Sequence, residues 1–218
     1  MGENVTIRRL VKPTVNELDQ IANIKTVTLG VDDSIIRAGT SSDEKLMYEF
    51  ARSTAAGAAA GAHLYGAFID HSDRIAGTIA FYGPGVEICG DEVQRSQGFD
   101  DFLKNLPSGT LAWWREFLPA YAAVSDATIG FGVKKASWTM NSFGVLPEFR
   151  GRGIGRALLE AGEALAREDG IPMIFEAEQK RNIAMYQHFG YSIVGEEHLK
   201  GGNGVQDFSL IILRKEFA

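Results

Sequence analysis

A glycine- and arginine-rich segment at residues 150–156 stands between a strand-like run and an amphipathic helix. Gly151, Gly153 and Gly155 occupy alternate positions, and without a Cβ they let the backbone approach a bound group closely. The helix predicted from about Ile154 would direct unpaired N–H groups and the positive end of its dipole at one point, where anions bind. Three arginines add positive charge: Arg150, Arg152 and Arg156. The segment therefore predicts a phosphate-binding loop.

Two common phosphate-binding patterns do not fit this loop. A P-loop needs Gly-Lys followed by Ser or Thr, and the chain has no such run. The dinucleotide fingerprint needs a third small residue, but Arg156 or Leu158 stands there in the two possible registers. A third pattern, Arg or Gln followed three residues later by Gly and five later by Gly or Ala, fits at Arg150, Gly153 and Gly155. The alternative is a glycine-rich strand-to-helix turn with solvated arginines.

A second motif follows about thirty residues later. With the preceding residues 144–149, the loop strongly resembles the acyl-CoA pyrophosphate loop of the GNAT superfamily of N-acyltransferases. The run from Tyr186 to Tyr191 resembles the Tyr-x-x-x-Gly-Phe/Tyr ending of the next helix in that superfamily, with Gly190 as the residue that follows the helix in a left-handed conformation. A short buried strand is predicted between the two motifs, at 172–178. The resemblance is clear over about 138–200, and before that it is a similarity of architecture.

The remaining pattern predicts an α/β domain. Strands are expected at 5–10, 63–69, 75–82, 136–145, 172–178, 191–199 and 207–214. Helices are expected at 13–25, 41–60, 91–105 and 109–124, after residue 154, and before Gly190, with loop or short helix at 26–41. The resemblance implies a GNAT-type fold in one domain, residues 1–218, with a central mixed, mostly antiparallel sheet of about seven strands flanked by helices. Residues 138–200 would form its acetyl-CoA-binding core.

Residues 83–128 form a helical insertion before the fourth strand, longer than the minimal fold needs. It is rich in aromatic residues: Phe99, Phe102, Trp113, Trp114, Phe117 and Tyr121. An aromatic stripe facing the core is the first explanation. A wall or lid over the acceptor pocket is the second.

The composition is that of a globular protein: 218 residues, of which 45% are hydrophobic and 23% charged. A formal net charge of −6 argues against a nucleic-acid partner and favours a cationic acceptor such as an amine. The single cysteine, Cys89, excludes an internal disulfide and fits a reducing compartment, so a cytoplasmic location is expected. No apolar run reaches membrane-spanning length, and the oligomeric state cannot be read from the sequence.

The resemblance implies acetyl-CoA as co-substrate, with its pantetheine arm between two splayed neighbouring strands. Backbone groups of Phe143 and Val145, on the fourth strand, would bind that arm. The expected pyrophosphate-binding residues are Arg150, Gly151, Arg152, Gly153, Ile154, Gly155 and Arg156. Many family members carry Asn seven residues before the motif tyrosine, where this chain has Gln179, which can substitute with a longer reach.

Tyr186 is the candidate proton donor, because the family places a hydroxyl beside the sulfur at this position. Phenols and thiols have pKa values of about 10 and about 8–9, so the tyrosine stays protonated until the thiolate forms. A tyrosine that anchors the core is the alternative. A backbone N–H near Val145 would polarise the thioester carbonyl.

The base that deprotonates the amine is less well defined. Glu176 and Glu178 lie two residues apart on the predicted fifth strand and would share one face. An acid that faces the acceptor could relay a proton through water, and an exposed or salt-bridged strand end is the alternative. The spacing of the histidines indicates no metal site: His63, His71, His188 and His198.

The leading hypothesis is an N-acetyltransferase that moves an acetyl group to a primary amine, of a small molecule in the first instance, by direct attack in a ternary complex. A protein N-terminus or a lysine side chain is an alternative acceptor. A non-catalytic acyl-CoA sensor is a second hypothesis, and a different acyl chain or a hydroxyl acceptor is a third.

Overall fold

Seven strands and eight α-helices make up the part of the chain that the computed structural model describes, residues 4–30, 32–70 and 72–217. The order begins β1 (Val5–Arg9), α1 (Val15–Thr28), α2 (Ser34–Gly39), α3 (Glu44–Gly61), β2 (His63–Ile69), β3 (Ile75–Tyr82), α4 (Glu92–Arg95), α5 (Phe99–Asn105) and α6 (Ser108–Ile129). It continues with β4 (Thr139–Val145), a 3-10 turn (Pro147–Phe149), α7 (Ile154–Asp169), β5 (Met173–Ala177), α8 (Lys180–His188), β6 (Ser192–Leu199) and β7 (Phe208–Lys215). The predicted α/β class with seven strands is confirmed. His71, in the predicted turn between β2 and β3, lies outside the described residues.

The strands form two antiparallel sheets, β1-β2-β3-β4 and β5-β7-β6. The sheets meet at one parallel bridge, where the Trp138 N–H donates to Pro172 O (2.9 Å) and the Ile174 N–H donates to Trp138 O (2.8 Å). Among the described residues, β4 and β5 share no pairing beyond this bridge. The two strands therefore separate toward their C-terminal ends and leave a gap between the sheets.

A bulge shapes β4 just before this gap. Ser142 has a positive φ of 61°, and the register against β3 shifts between Thr78 and Ala80. A bulge inserts an extra residue and bends its strand. After it, the Leu146 N–H donates to Ala76 O (2.9 Å), and because backbone groups alternate along a strand, those of Val145 point away from β3 and toward β5.

Helices cover both faces of the four-stranded sheet. On one face, α7 packs closely enough that a Cβ on Gly162 would lie 2.1 Å from the Phe81 ring. On the other face, α1 and α3 bury Ile21, Ala55 and Ala58 against β2 and β3. The alanine- and glycine-rich end of α3 thus serves close helix packing, as its composition indicates.

The insertion packs into the core between α3 and the three-stranded sheet. Its aromatic residues Phe99, Phe102, Trp114 and Phe117 are buried together with Leu199 and Leu210 of β6 and β7. The core-facing explanation of the aromatic stripe is therefore confirmed. The helix predicted at 91–105 is two short helices, because the chain turns between them at Gly98, whose φ is 108°.

One strand begins later than predicted. β4 begins at Thr139 and not at residue 136, because helical turns bind the backbone N–H groups just before it. The Ala136 N–H donates to Gly132 O (3.0 Å) and the Ser137 N–H to Lys134 O (3.0 Å), so neither is available to a neighbouring strand. Within 26–41, where loop or short helix is expected, residues 26–28 complete α1 and residues 34–39 form α2.

A buried lysine in α1 makes stability depend on pH. Lys25 is 3% exposed, donates a hydrogen bond to Thr54 Oγ1 (2.5 Å), and has its pKa lowered by burial from 10.5 to about 7. Because the folded-state pKa is the lower one, the cost of burying the charge is fully present below about pH 7 and is relieved as the pH rises toward 10.5. We expect Lys25→Met to stabilise the protein at pH 6 by several kcal/mol, since one unit of pKa shift corresponds to ~1.4 kcal/mol.

Thermal unfolding at pH 6 and pH 9 measures this effect. The gain from Lys25→Met should shrink at pH 9, and Lys45→Met, on an exposed side chain, should show no such dependence. A gain of equal size at both pH values would contradict the assignment to Lys25.

Candidate active site

The N-terminus of α7 presents a set of unpaired backbone N–H groups. The first helical bond runs from the Ala157 N–H to Gly153 O (3.0 Å). No acceptor among the described residues binds the N–H groups of Gly153, Ile154, Gly155 or Arg156. Gly153 caps the helix with φ 79° and provides no side chain to satisfy them. Together with the helix dipole, these groups favour an anion at this point.

Glycine is needed at the three positions of the loop for two different structural reasons. Gly151 and Gly153 have positive φ values of 74° and 79°, a conformation that residues with a Cβ rarely adopt, and a Cβ at either position would meet open space. Gly155 instead permits close packing, because a Cβ there would lie 3.2 Å from Cζ of Phe143 on β4. The start of α7 is thus held directly against the strand that borders the gap.

The three arginines of the loop contact their own surroundings. Arg150 Nε donates to Val145 O (3.1 Å), and Arg152 Nη2 donates to Glu148 O (2.8 Å). Arg156 Nε donates to Glu160 Oε1 (2.7 Å) one helical turn on. These contacts fix the loop, and they concentrate positive charge around the free N–H groups.

Tyr186 of α8 lies across the gap between the two sheets. Its ring packs against Phe175 of β5 (centroids 4.7 Å apart) and Phe143 of β4 (6.2 Å). The side chain is 6% exposed, and its hydroxyl has no hydrogen-bond partner among the described residues. Burial raises the pKa of Tyr186 well above its usual value of 10, so the phenol keeps its proton. Gly190, with φ 89°, ends this helix as predicted.

Glu176 is bound into a polar cluster under α6. Its carboxylate accepts hydrogen bonds from Tyr121 Oη (2.7 Å) and Ser125 Oγ (3.1 Å) and forms an ion pair with Lys134 Nζ. The Tyr121 side chain has its pKa raised by burial and by the charge of Glu176. The cluster fastens α6 to β5, which is a structural role for Glu176.

Glu178 has a different environment, one residue beyond the end of β5. Its carboxylate accepts hydrogen bonds from the Ser34 N–H (2.9 Å) and from Ser34 Oγ (2.6 Å) at the start of α2. No lysine or arginine among the described residues forms an ion pair with it. The neighbouring Asp33 has its pKa raised to about 6, by burial and also by the negative charge of Glu178. Glu178 therefore lies at the C-terminal end of β5 without an ion-pair partner in the described part of the chain.

Gln179 follows as the residue that caps α8. Its side-chain amide donates to Asp32 O (2.8 Å), next to the ion pair between Arg181 and Asp32 (2.9 Å). The described contact thus joins α8 to the loop before α2. The role expected for Gln179 toward a pantetheine arm stays a prediction.

Several partners of the candidate residues were not indicated by the sequence. Ser34 is 144 residues from Glu178, and Lys134 is 42 residues from Glu176. Neither belongs to a motif, and Lys134 lies in a turn whose composition gives no functional signal. Only the way in which α2 and α6 are placed against β5 brings these side chains to the site.

Comparisons with known proteins agree with this geometry. Residues 115–193, which contain both the loop and Tyr186, match the family model described as an acetyltransferase (GNAT) domain. Mycothiol acetyltransferase of Propionibacterium freudenreichii subsp. shermanii is 42% identical over 57 residues, which are 25% of this chain and 18% of that relative's length. The chain thus matches less than a fifth of this curated relative.

Solved structures match over nearly the whole chain. A Drosophila melanogaster polyamine N-acetyltransferase that forms N-acetylagmatine has a TM-score of 0.59 and 16% identity, covering 98% of this chain and 100% of that one. The ribosomal-protein-S18-alanine N-acetyltransferase of Escherichia coli has a TM-score of 0.55 and 12% identity, covering 99% and 95%. Such low identities show the fold alone. No helix within the described ranges is long and apolar enough to cross a membrane. Residues 115–193 thus match a GNAT acetyltransferase domain, and the chain shares its fold with these two N-acetyltransferases.

Proposed function

We propose that this protein transfers an acetyl group from acetyl-CoA to a primary amine of a small molecule, by direct attack in a ternary complex. The proposal rests on one observation: two sets of hydrogen-bond donors without partners among the described residues border the gap between the two sheets. The free N–H groups at the start of α7 and the unpaired Tyr186 hydroxyl are linked through the Phe143 ring, which contacts both Gly155 and Tyr186. An anion-binding helix end beside a protonated phenol fits a phosphate-bearing thioester.

The loop and β4 would bind acetyl-CoA, which supplies an electrophilic thioester carbonyl and a thiolate leaving group. The N–H groups from Gly153 to Arg156 would bind the pyrophosphate, with charge-assisted bonds of roughly 1.5–3 kcal/mol each. Backbone groups of Val145 point into the gap, where the N–H can polarise a carbonyl oxygen. The proposed contacts of Phe143 and Gln179 with the pantetheine arm belong to the same site.

Two protons move in the proposed reaction. As the amine nitrogen forms its bond to the acetyl carbon and the carbon–sulfur bond breaks, Tyr186 Oη gives its proton to the leaving sulfur. The attacking nitrogen loses a proton, which Glu178 accepts directly or through water. We assign this step to Glu178 because its carboxylate, one residue beyond the C-terminal end of β5, forms no ion pair with a described residue, whereas Glu176 is ion-paired with Lys134.

The acceptor class and the compartment are also part of the proposal. A small amine is supported by the negative net charge of −6 and by the fold shared with a polyamine N-acetyltransferase. The aromatic stripe of the insertion lies in the core and gives no support to a lid over the acceptor. A single cysteine, whose pKa burial raises to about 12, fits the reducing cytoplasm.

Exchanging each acid for its amide separates the two roles. Glu176→Gln leaves the half-buried Lys134 beside an uncharged partner, and we expect it to lower the free energy of unfolding by about 2–4 kcal/mol, somewhat less than for a fully buried pair. Glu178→Gln should instead lower kcat roughly 100-fold with little change in melting temperature. Thermal unfolding and release of free thiol from acetyl-CoA over an amine panel measure both effects. The reverse pattern would assign the base to Glu176.

A further inference from the structure

An open cleft of about 350 Å3 lies at the end of β5, between α2 and the loop that joins β6 to β7. Its charged lining residues are Arg37, Glu178 and Asp207. The loop is held to α2, where Asn203 Nδ2 donates to Ala38 O (2.7 Å), and to α6, where Trp113 Nε1 donates to Gly201 O (3.1 Å). The cleft is therefore a formed feature of the fold, and Glu178, the proposed base, lies in its wall.

Two of the three charged groups in the cleft form no ion pair with a described residue. Asp207 is neutralised by Lys200 Nζ (2.6 Å) and accepts a further bond from the Gly201 N–H (3.1 Å). The Glu178 carboxylate is bound by the neutral Ser34. The half-buried Arg37 guanidinium forms neither a hydrogen bond nor an ion pair with any described residue.

These two charges face the same cleft without meeting each other. Arg37 follows Ser34 by three residues on α2, about one helical turn, so its side chain lies next to the position at which Ser34 binds Glu178. A carboxylate and a guanidinium that are close enough usually form a bidentate contact. The Glu178 carboxylate and the Arg37 guanidinium form none. The cleft is thus lined by one negative and one positive group that are not paired with each other.

We propose that the acceptor is an amino-acid-like molecule, whose amine lies at Glu178 and whose carboxylate is bound by Arg37. This inference rests on the proposed acetyl transfer and specifies its acceptor. Arg37 is a specificity-determining residue, since its planar guanidinium matches a carboxylate and contributes nothing to a plain alkylamine. Transfer of the acetyl group proceeds as described above, with Arg37 holding the acceptor and taking no proton.

Matched acceptor pairs that differ in one carboxylate test the proposal. Arginine is compared with agmatine, lysine with cadaverine, and alanine with ethylamine, by free-thiol release from acetyl-CoA. We expect the carboxylated member of at least one pair to have a kcat/KM roughly 10- to 100-fold higher, from charge-assisted bonds to Arg37. Equal or better use of the decarboxylated members, or no turnover of any carboxylated amine, would overturn the inference.

Substitution of Arg37 identifies the residue responsible. Arg37→Gln should remove the preference through the KM of the carboxylated acceptor, and Arg37→Lys should keep part of it, with unchanged KM for the decarboxylated member. Arg115→Gln, on the exposed face of α6, is the matched control and should change neither. Weaker acetyl-CoA binding by Arg37→Gln, measured by calorimetry, would instead place an anion of the co-substrate at Arg37 and overturn the proposal. Failure of the wild-type protein to bind acetyl-CoA would reject the proposed function itself.

Discussion

Tyr186→Phe is expected to lower kcat by about 100- to 10,000-fold, the usual contribution of a positioned general acid. The substitution removes only the hydroxyl, and the ring contacts with Phe143 and Phe175 persist. Because that hydroxyl has no protein partner, the melting temperature and the affinity for acetyl-CoA should change little. Steady-state kinetics, thermal unfolding and calorimetric titration of the same preparation give the three values.

A neighbouring tyrosine provides the matched control. Tyr191 belongs to the same aromatic cluster, with its ring centroid 6.1 Å from that of Tyr186, and its hydroxyl contacts Met173 Sδ (3.2 Å). Tyr191→Phe should therefore leave turnover near the wild-type value.

Because burial raises the pKa of Tyr186, its loss of a proton should not limit kcat between pH 7 and about pH 10. If Tyr186→Phe turned over normally but unfolded at a lower temperature, Tyr186 would be a structural residue.

Gly153→Val is expected to weaken acetyl-CoA binding at least ~100-fold. Valine strongly disfavours the positive φ of 79° at this position, and its side chain would project into the open space in front of the free N–H groups of α7. Loss of two or more charge-assisted bonds of roughly 1.5–3 kcal/mol accounts for the magnitude. Calorimetric titration with acetyl-CoA measures the loss.

A substitution at the other end of α7 is a control that distinguishes backbone strain from blocked binding of acetyl-CoA. Gly170 caps the C-terminus of α7 with φ 65°, and a Cβ there would also meet open space. Gly170→Val should thus cost a similar amount of stability, on the order of 1–2 kcal/mol, while binding stays normal. Normal binding by folded Gly153→Val would mean that the phosphate lies elsewhere.

The parts of the site that local sequence determines could be predicted from it. The free N–H groups at 153–156 follow from a glycine-rich turn that opens a helix, and Tyr186 and Gly190 follow from one motif at a helix end. The two apolar runs on either side of the polar residues 70–73 predicted the bounds of β2 and β3 correctly. Each of these features depends on residues within a few positions of one another.

The remaining features depend on long-range packing. The ion pair of Glu176 with Lys134 exists because α6 lies across β5, and the carboxylate spacing alone left its role open. The bond from Ser34 to Glu178 likewise depends on how α2 is placed. The bulge at Ser142 has no sequence signal, since serine is not a residue that typically adopts a φ of 61°.

Calorimetric titration of the purified wild-type protein shows whether the start of α7 binds the pyrophosphate of acetyl-CoA. Acetyl-CoA, desulfo-CoA and ATP are titrated separately, because desulfo-CoA retains the pyrophosphate without the reactive sulfur and ATP controls for general phosphate binding. We expect micromolar or tighter binding of acetyl-CoA and of desulfo-CoA, and no comparable binding of ATP. A folded protein that bound none of the three, or that bound ATP as tightly as acetyl-CoA, would contradict this expectation.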